Sequence, residues 1–367
     1  MNNLKFWTAF ASMDLDPSFI QRLYNYFGDI EIAFNSTIND LKQIEELSIK
    51  KAENFIEKRN KLKNLDEILD YVLKKNIQIL TYDDDKYPYM LRQISNPPMC
   101  LFYQGDLFSC NLEKTVAFVG SRRASLNGKD GVNRVIGDLK NTDICIVSGL
   151  ATGIDATSHR AALDNNLKTI GVIASGLNFT YPDGNKDLYD RIKNGGGAVI
   201  SEYYPTIEPL QFRFPQRNRI VTGLSYGTVV GEAALKSGAL ISANLTLEQG
   251  RELMCIPGAI NNTNTEGVYK LLKDGATMVT KGEDILNALN WTVNITENNS
   301  NIINNLNLND NEKIIFDIIG IEPKGFDEIQ ALTNMETNEL LMCLTGLELN
   351  GLIEQAEGDR YKRSRCQ

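Results

Sequence analysis

Histidine is almost missing from this chain: of 367 residues, only His159 carries an imidazole. Zinc sites built on His/Cys spacing, and metal catalysis that needs more than one imidazole, are therefore not expected. Paired thiols are missing too. The six cysteines (Cys100, Cys110, Cys145, Cys255, Cys343 and Cys366) include no CxxC pair. Thiols scattered along a chain of this length point to a reduced, cytoplasmic protein rather than a disulfide scaffold. No apolar run reaches the roughly 18 residues that a membrane-crossing helix needs, so no membrane association is expected. The N-terminal apolar patch stops at Met13, before Asp14. It is too short for a secretory signal, and Leu4–Ser12 reads as an ordinary amphipathic helix. Positive charge is not in excess either: Lys+Arg 38 against Asp+Glu 47 leaves a net charge of −9. A protein that coats nucleic acid through bulk charge would be basic, which disfavours that class while leaving a local basic groove open.

What is present is ordinary globular material, 42% hydrophobic and 23% charged, long enough for two or three domains. Residues 1–75 read as helical. Phe19, Leu23, Tyr24 and Phe27 recur at three- and four-residue spacing, Phe55, Leu62, Leu65 and Leu69 continue the pattern, and Gly28-Asp29 breaks it. The cluster Lys50, Lys51, Lys58, Arg59, Lys61 and Lys63 reads as a solvated helix face before it reads as a DNA-binding one. Asn76–Tyr82 looks like a strand, and Pro97-Pro98 precedes the apolar segment Met99–Tyr103. From Thr115 to Leu289 the pattern alternates. The apolar runs Val116–Val119, Ile144–Val147, Thr169–Ala174, Ala198–Ile200, Gly227–Val230 and Leu253–Ile256 fit buried strands, with helical stretches between most of them. That is the signature of a doubly wound, Rossmann-like α/β domain. The asparagine-rich stretch Asn290–Asn307 reads as a linker. After it, helical segments Asn311–Ile319, Gly325–Thr333 and Thr337–Asn350 precede a hairpin around Glu357-Gly358-Asp359, which together describe a winged helix-turn-helix. The expected organisation is thus 1–75 helical, 76–289 Rossmann-like, 290–308 linker and 309–367 winged helix.

Three glycine- or arginine-rich elements carry the chemistry. Val119-Gly120-Ser121-Arg122-Arg123-Ala124-Ser125 ends a strand, where glycine admits an anion to the backbone and arginines add charge-assisted donors. It has neither the G-x-G-x-x-G spacing of dinucleotide sites nor the G-K-[ST] of a P-loop, which makes NAD and ATP poor candidates. A plain strand-to-helix turn remains open. The second element, Ser148-Gly149-Leu150-Ala151-Thr152-Gly153-Ile154-Asp155, runs on to His159. Asp155 reads as an N-cap. A Ser148/His159/Asp155 triad lacks the G-x-S-x-G elbow, so a structural His–Asp contact is the better reading and no catalytic residue is assigned. The third is Phe212-Arg213-Phe214-Pro215-Gln216-Arg217-Asn218-Arg219, with three arginines, two aromatics and no acid in an acidic chain. Cations that follow a backbone beside rings that stack on bases suit single-stranded nucleic acid, and an arginine-rich turn making internal salt bridges is the competing reading.

The ordered series VGSRRAS, SGLATGIDATSHRAAL, GLNFTYPDGNKDLYDRI, SEYYP, FPQRNRIVTGLS, EAALKSGALISANLTLEQGRE and IPGAINNTNTEG resembles the DNA-processing protein A (DprA/Smf) family over nearly the whole chain. The resemblance implies an extended Rossmann fold with an N-terminal SAM-like helical domain and a C-terminal winged helix. It further implies single-stranded DNA binding without hydrolysis or cofactor, in natural transformation and recombination, with RecA recombinase as partner and a homodimer as the working form. Carried over by motif position, the DNA-binding residues would be Gly120, Ser121, Arg122, Ser148, Gly149, Gly153, Lys186, Phe214, Arg217, Asn218 and Arg219. Tyr269, Leu272 and Met278 would contribute to a dimer interface. Thr152 stands where the family usually carries a basic residue, and Gly267-Val268-Tyr269 departs from a common G-C-N. The third helix of the winged unit carries Glu339 and Glu348 and no Lys or Arg. It reads as an interaction module or lid rather than a DNA reader, with Lys362, Arg363 and Arg365 as a small basic tail. An enzyme resembling nucleoside-monophosphate phosphoribohydrolases is the runner-up, but their P-G-G-x-G-T-x-x-E motif is not formed here.

Overall fold

The computed structural model describes residues 3–291, 309–319, 324–333, 335–350, 352–356 and 360–363. The chain divides into two compact units, Met1–Val293 and Asn294–Gln367.

The first unit begins with six helices, α1 (Leu4–Ser12), α2 (Pro17–Phe27), α3 (Ile30–Asn35), α4 (Ile38–Leu41), α5 (Ile49–Lys61) and α6 (Leu65–Lys74). Local chemistry sets their limits. Asp16 caps α2, with Pro17 at its first position, and Gly28 closes it in the left-handed region at φ 69°. Asp29 then starts α3 by accepting from the amides of Glu31 and Ile32. The shared core is aromatic: the Phe10 and Phe55 rings stack at 5.3 Å, and Phe34 meets Phe10 edge-on at 5.5 Å. The basic cluster partly serves this packing. Lys58 donates to the Met13 carbonyl at 2.7 Å, and Arg59 donates to the carbonyls of Phe34 and Ser36 at 2.6 and 2.7 Å.

A nine-stranded sheet follows: β1 (Gln78–Thr81), β2 (Cys100–Gly105), β3 (Thr115–Gly120), β4 (Cys145–Ser148), β5 (Lys168–Val172), β6 (Gly197–Ser201), β7 (Gly227–Glu232), β8 (Glu252–Cys255) and β9 (Thr277–Met278). Their spatial order is β1-β2-β6-β5-β4-β3-β7-β8-β9. Pairing is parallel from β6 to β9 and antiparallel for β1 and β2 at the edge. Between and after the strands lie α7 (Tyr89–Arg92), α8 (Leu126–Gly137), α9 (Ile154–Asp164), α10 (Lys186–Arg191), α11 (Arg213–Gly223), α12 (Gly238–Glu248), α13 (Glu266–Lys273) and α14 (Gly282–Ala288). Helices cover both faces, which is why the strands read as nearly continuous apolar runs. Along β3, Val116 and Phe118 pack with Val132, Val135 and Ile154 of α8 and α9. Ala117 and Val119 share the opposite core with Ile220 of α11 and Ala239 of α12. The chain steps outward from β3 through β4, β5 and β6, then returns to place β7 on the other flank of β3. That reversal opens a crevice beyond the carboxyl ends of β3 and β7, the place where open α/β sheets bind ligands.

The second unit holds α15 (Asp310–Ile318), α16 (Phe326–Thr333) and α17 (Thr337–Leu349) around Ile315, Ile329, Leu340, Leu344 and Leu347. The expected hairpin is β11 (Ile353–Ala356) with β12 (Arg360–Arg363), and a short strand β10 (Lys324–Gly325) joins the other edge of β12. Glu339 of α17 accepts from the Asn311 side-chain amide at 2.6 Å. Most of the asparagine-rich linker, the turn at 357–359 and Arg365 lie outside the described residues.

Among the described residues no helix is long and apolar enough to cross a membrane. Phe55 is fully buried among Phe10, Phe19 and Phe34. Phe55→Ala is therefore expected to destabilise the helical N-terminal segment by about 3–5 kcal/mol, read as a lower midpoint in urea denaturation followed by far-ultraviolet circular dichroism.

Candidate functional site

The loops after β3 and β4 are closed against each other by glycine. Gly153 has φ +79°, and a Cβ there would run into the Ser121 carbonyl oxygen. A Cβ at Gly120 would lie 2.5 Å from Cγ1 of Ile154. The Ile154 amide donates to the Ser121 carbonyl at 3.2 Å, and the Thr152 hydroxyl donates to the Arg122 carbonyl at 3.3 Å. On the other flank, the Ser121 amide donates to the Glu232 carbonyl at 2.7 Å. Ser121, Arg122 and Arg123 are thereby held at the mouth of the crevice, and both arginines are exposed.

The segment read as an arginine-rich element is helix α11, with Pro215 in its first turn, where no helical donor is lost. At 100° per residue its side chains go three ways. Phe214, Asn218 and Val221 face the crevice. Gln216 and Arg219 face away from it, toward the N-terminal helices. Arg217 points inward and is 3% exposed. Its guanidinium donates to the Gly149 carbonyl at 2.5 Å and to the Val172 carbonyl, and so ties the ends of β4 and β5 to α11. Burial lowers its proton affinity, but an arginine stays cationic at neutral pH. Asp155 is also buried. Burial pushes its carboxyl up, against the opposing pull of Arg217.

Together these elements bound a cavity of about 460 Å³. It brings Gly120, Ser121, Arg122, Gly149, Phe214, Arg217 and Asn218 to one place. The Arg122 guanidinium lies 5.1 Å from the centroid of the Phe214 ring, and the Tyr181 ring lies 5.5 Å from it on a tilted plane. A smaller pocket of about 140 Å³ continues past Arg122, Tyr181 and Phe214 to Thr152, Ser175 and Pro209. The other expected site residues lie elsewhere. Ser148 is buried and donates its hydroxyl to the Phe118 carbonyl at 2.6 Å. Gly153 acts through the loop contact. Lys186 is exposed at the start of α10, outside the residues lining these cavities. Arg219 forks onto Glu202 at 2.8 and 2.6 Å. Of the residues expected at a dimer interface, Met278 is exposed on β9 and Leu272 is partly packed into the core. The Tyr269 hydroxyl donates to the Gly258 carbonyl at 2.5 Å.

Two details of the second loop differ from expectation. Gly153, not Asp155, precedes α9. Its left-handed backbone brings the chain into the helix earlier, and Asp155, within the first turn, accepts from the Ala151 amide at 3.4 Å. His159 does not meet Asp155. Its Nδ1 lies 2.6 Å from the Thr169 hydroxyl, which itself donates to the Ile146 carbonyl at 2.7 Å. The ring's contacts, with the Thr169 hydroxyl and the Ser148 backbone, are both internal. Burial, reinforced by Arg217, holds the His159 pKa down at about 3. A neutral imidazole sealed in the core is a packing residue.

The far wall of the cavity was not anticipated from sequence. It is the N-terminus of α12, with Ser237, Gly238 and Ser242 lining the space. The first turn of α12 contains no acid, Ser237 makes no side-chain cap, and its buried hydroxyl has no partner. Free amides at the positive end of a helix suit an anion. The sequence signal is Ser237-Gly238 between a strand and a helix, masked by Glu232 at the strand end. That carboxylate faces elsewhere, accepting from the Ser125 amide and the Asn262 side chain, each at 2.8 Å. Among the described residues no group of three or more His, Cys, Asp or Glu side chains is arranged to hold a metal ion.

Comparison with known proteins gives concordant results. The family profile described as DNA recombination-mediator protein A matches residues 78–290, and the DprA winged helix domain profile matches 305–359. The chain is 47% identical over 203 residues to the DNA processing protein DprA of Streptococcus pneumoniae, covering 55% of this chain and 71% of that one. It is 33% identical over 324 residues to Protein Smf of Escherichia coli, covering 87% and 86%. The X-ray structure of the Streptococcus pneumoniae DprA superposes with a TM-score of 0.69 at 36% identity, over 78% of this chain and 98% of that one. A structure concerned with the single-stranded DNA binding mode of DNA processing protein A from Helicobacter pylori superposes with a TM-score of 0.52 at 29% identity, over 58% and 95%.

The buried imidazole has a consequence for stability. His159 is neutral in the folded chain down to about pH 3, whereas an unfolded histidine titrates near 6.5. The unfolded state therefore binds the extra proton between these values, and the folded state loses about 1.4 kcal/mol per pH unit as pH falls below 6.5. Urea denaturation at a series of pH values should show that slope between pH 6.5 and 5, and His159→Gln should lose this share of it.

Proposed function

The chain belongs to the DNA recombination-mediator protein A family, DprA/Smf, and from that premise we propose that it binds single-stranded DNA in the crevice between the β3 and β4 loops, α11 and α12. It acts there as a non-enzymatic mediator of recombination. The observation that carries this reading is the placement of Arg122, the Phe214–Tyr181 ring pair and the open N-terminus of α12 around one cavity. Arginine forks onto phosphate oxygens, loop and helix amides take further oxygens, and the rings offer faces to unpaired bases. A duplex hides those base faces. Ring stacking also tolerates any base, so the binding has little sequence preference.

Arg217 has a positioning role in this scheme: buried and bonded to two carbonyls, it fixes the loops that Arg122 stands on. Asn218 and the Ser121 hydroxyl supply polar contacts along the wall. Protection of incoming strands, delivery of the strand to RecA recombinase and action as a homodimer in the cytoplasm belong to the same proposal, supported by family membership. The exposed Met278, with Tyr269 and Leu272, is the set of residues proposed for the two-fold contact.

Binding titrated against salt, with single and double strands side by side, tests the proposal. Single strands should bind tighter at physiological salt, and equal affinity for duplex would sink the reading. Arg122→Ala should weaken single-strand binding by about 1–3 kcal/mol. It should also lower the salt slope by about 0.7, the contribution of one phosphate contact on a single strand. The melting temperature should be unchanged, because the side chain is exposed. A lower melting temperature with an unchanged slope would remove Arg122 from the interface.

A further inference from the structure

The third helix of the winged unit, α17, is apolar on two sides. One side buries Leu340, Cys343, Leu344 and Leu347 in the core of the unit. On the other, Leu341 is 52% exposed, Met342 77% and Leu349 84%. At about 100° per residue these three fall in one strip, with the exposed Thr345 inside it. A helix that is apolar all round is ordinarily buried all round. Here only one side is covered, and a contiguous apolar strip in solvent marks a place where something docks.

Acid borders the strip on both edges. Going around the helix, Glu348 lies next to Leu341 on one edge and Glu339 lies beyond Met342 on the other, and both are exposed. α17 contains no Lys or Arg, and residues 309–367 carry 12 Asp and Glu against 6 Lys and Arg. Those charges select the occupant. This is the helix that a DNA-reading winged helix lays in the major groove, but a phosphate backbone would meet only carboxylates here. A second copy of α17 would set the same acids against themselves. The surface that complements the strip has an apolar stripe with cations along its edges.

We propose that the exposed face of α17 docks a basic amphipathic helix of a partner protein. The partner's apolar stripe covers Leu341, Met342 and Leu349, and its Lys or Arg side chains stand beside Glu339 and Glu348. From Leu341 to Leu349 the strip is about 12 Å long, so two to three turns of a partner helix cover it. Met342 adapts to the shape of whatever stripe arrives. The apolar residues supply affinity, and the flanking charges set orientation and exclude partners of the wrong sign. The winged unit thereby recruits protein instead of reading DNA, independently of what the crevice binds.

The probe is a fluorescein-labelled peptide of about 14 residues, or four helical turns, with Leu at three- and four-residue spacing and Lys elsewhere. It is titrated against the full-length chain and followed by anisotropy. A scrambled peptide of the same composition, and a twin with Glu in place of Lys, should each bind at least tenfold more weakly. Combining Leu341→Ser, Met342→Ser and Leu349→Ser should weaken the striped peptide at least tenfold. Glu339→Gln with Glu348→Gln should weaken it about threefold and flatten its salt dependence. The triple variant should keep the circular dichroism and single-strand binding of the parent chain, because the three side chains are exposed. Equal binding of the scrambled peptide reduces the effect to bulk attraction and overturns the proposal. So does a triple variant that binds the striped peptide unchanged. If the folded triple variant loses single-strand affinity, the face belongs to nucleic acid. If it converts a dimer to a monomer in sedimentation, the face joins two copies. Either result overturns the partner helix. Should the triple variant fail to fold, Leu349→Ser alone, at the last position of α17, should still weaken the striped peptide about threefold. No change there or in the paired glutamine variant overturns the proposal.

Discussion

The buried guanidinium of Arg217 is the interaction on which the geometry of the crevice depends. The loops after two adjacent parallel strands end in carbonyls that need donors, and a crevice lined by bare backbone would collapse or fill with water. Arg217 meets that need from a third element, donating to Gly149 after β4 and to Val172 at the end of β5. Gly149 is required for the approach: a Cβ there would lie 2.6 Å from one Arg217 nitrogen and 2.6 Å from an Asp155 oxygen. The cost of burying the cation is offset by these carbonyls and by the facing Asp155. Removing the arginine would leave a buried carboxylate and two carbonyls without their partner, so the loss would spread over the whole site.

The same helix also divides the molecule. One face of α11 supplies Phe214 and Asn218 to the crevice, and another sends Gln216 and Arg219 toward the N-terminal helices. Arg213, at its start, reaches Asp14 between α1 and α2. Asp14 sits at φ 48°, a left-handed conformation tolerated by aspartate, and this backbone turn presents its carboxylate to the arginine. The pair is only partly buried and contributes modestly on its own. Its effect is directional: a helix anchored at its first residue by Asp14 and at its fifth by the loops after β4 and β5 cannot rotate without breaking both. The N-terminal helices thus help to fix the orientation of Phe214.

Much of the sheet was legible in the sequence, because strands buried on both faces leave uninterrupted apolar runs between glycine-rich turns. The glycine-rich loops after β3 and β4 were legible for the same reason. The three faces of α11 were not. Phe-Arg-Phe-Pro-Gln-Arg-Asn-Arg has no amphipathic period, since its buried face carries arginines where a helix normally buries leucines. Reading all three arginines as one groove was the natural inference from charge, and the structure sends Arg213, Arg217 and Arg219 to three different partners. The N-terminus of α12 was missed because its anion-binding capacity resides in main-chain amides, which no residue type announces. His159 was expected beside Asp155 on helical spacing. The partner it found, Thr169, lies on β5, a contact that only the tertiary fold creates.

An acidic protein whose proposed ligand is a polyanion presents an apparent conflict, which the placement of its carboxylates resolves. Glu232 ends β7 beside the crevice, yet its oxygens are engaged by the Ser125 amide and Asn262. Asp155 is turned onto the backbone of its own loop and faces Arg217. Glu202 is held by Arg219 on the far side of α11. These three acids are thus committed to internal donors or to Arg217, while Arg122 and the start of α12 line the cavity. Exposed carboxylates such as Asp183 and Glu208 face solvent, where salt screens them within about 8–10 Å. The attractive field is therefore short in range. A strand held this way would depend on stacking and a few oriented donors more than on bulk attraction, and would be released by displacing few contacts. Those properties suit the mediator role proposed above.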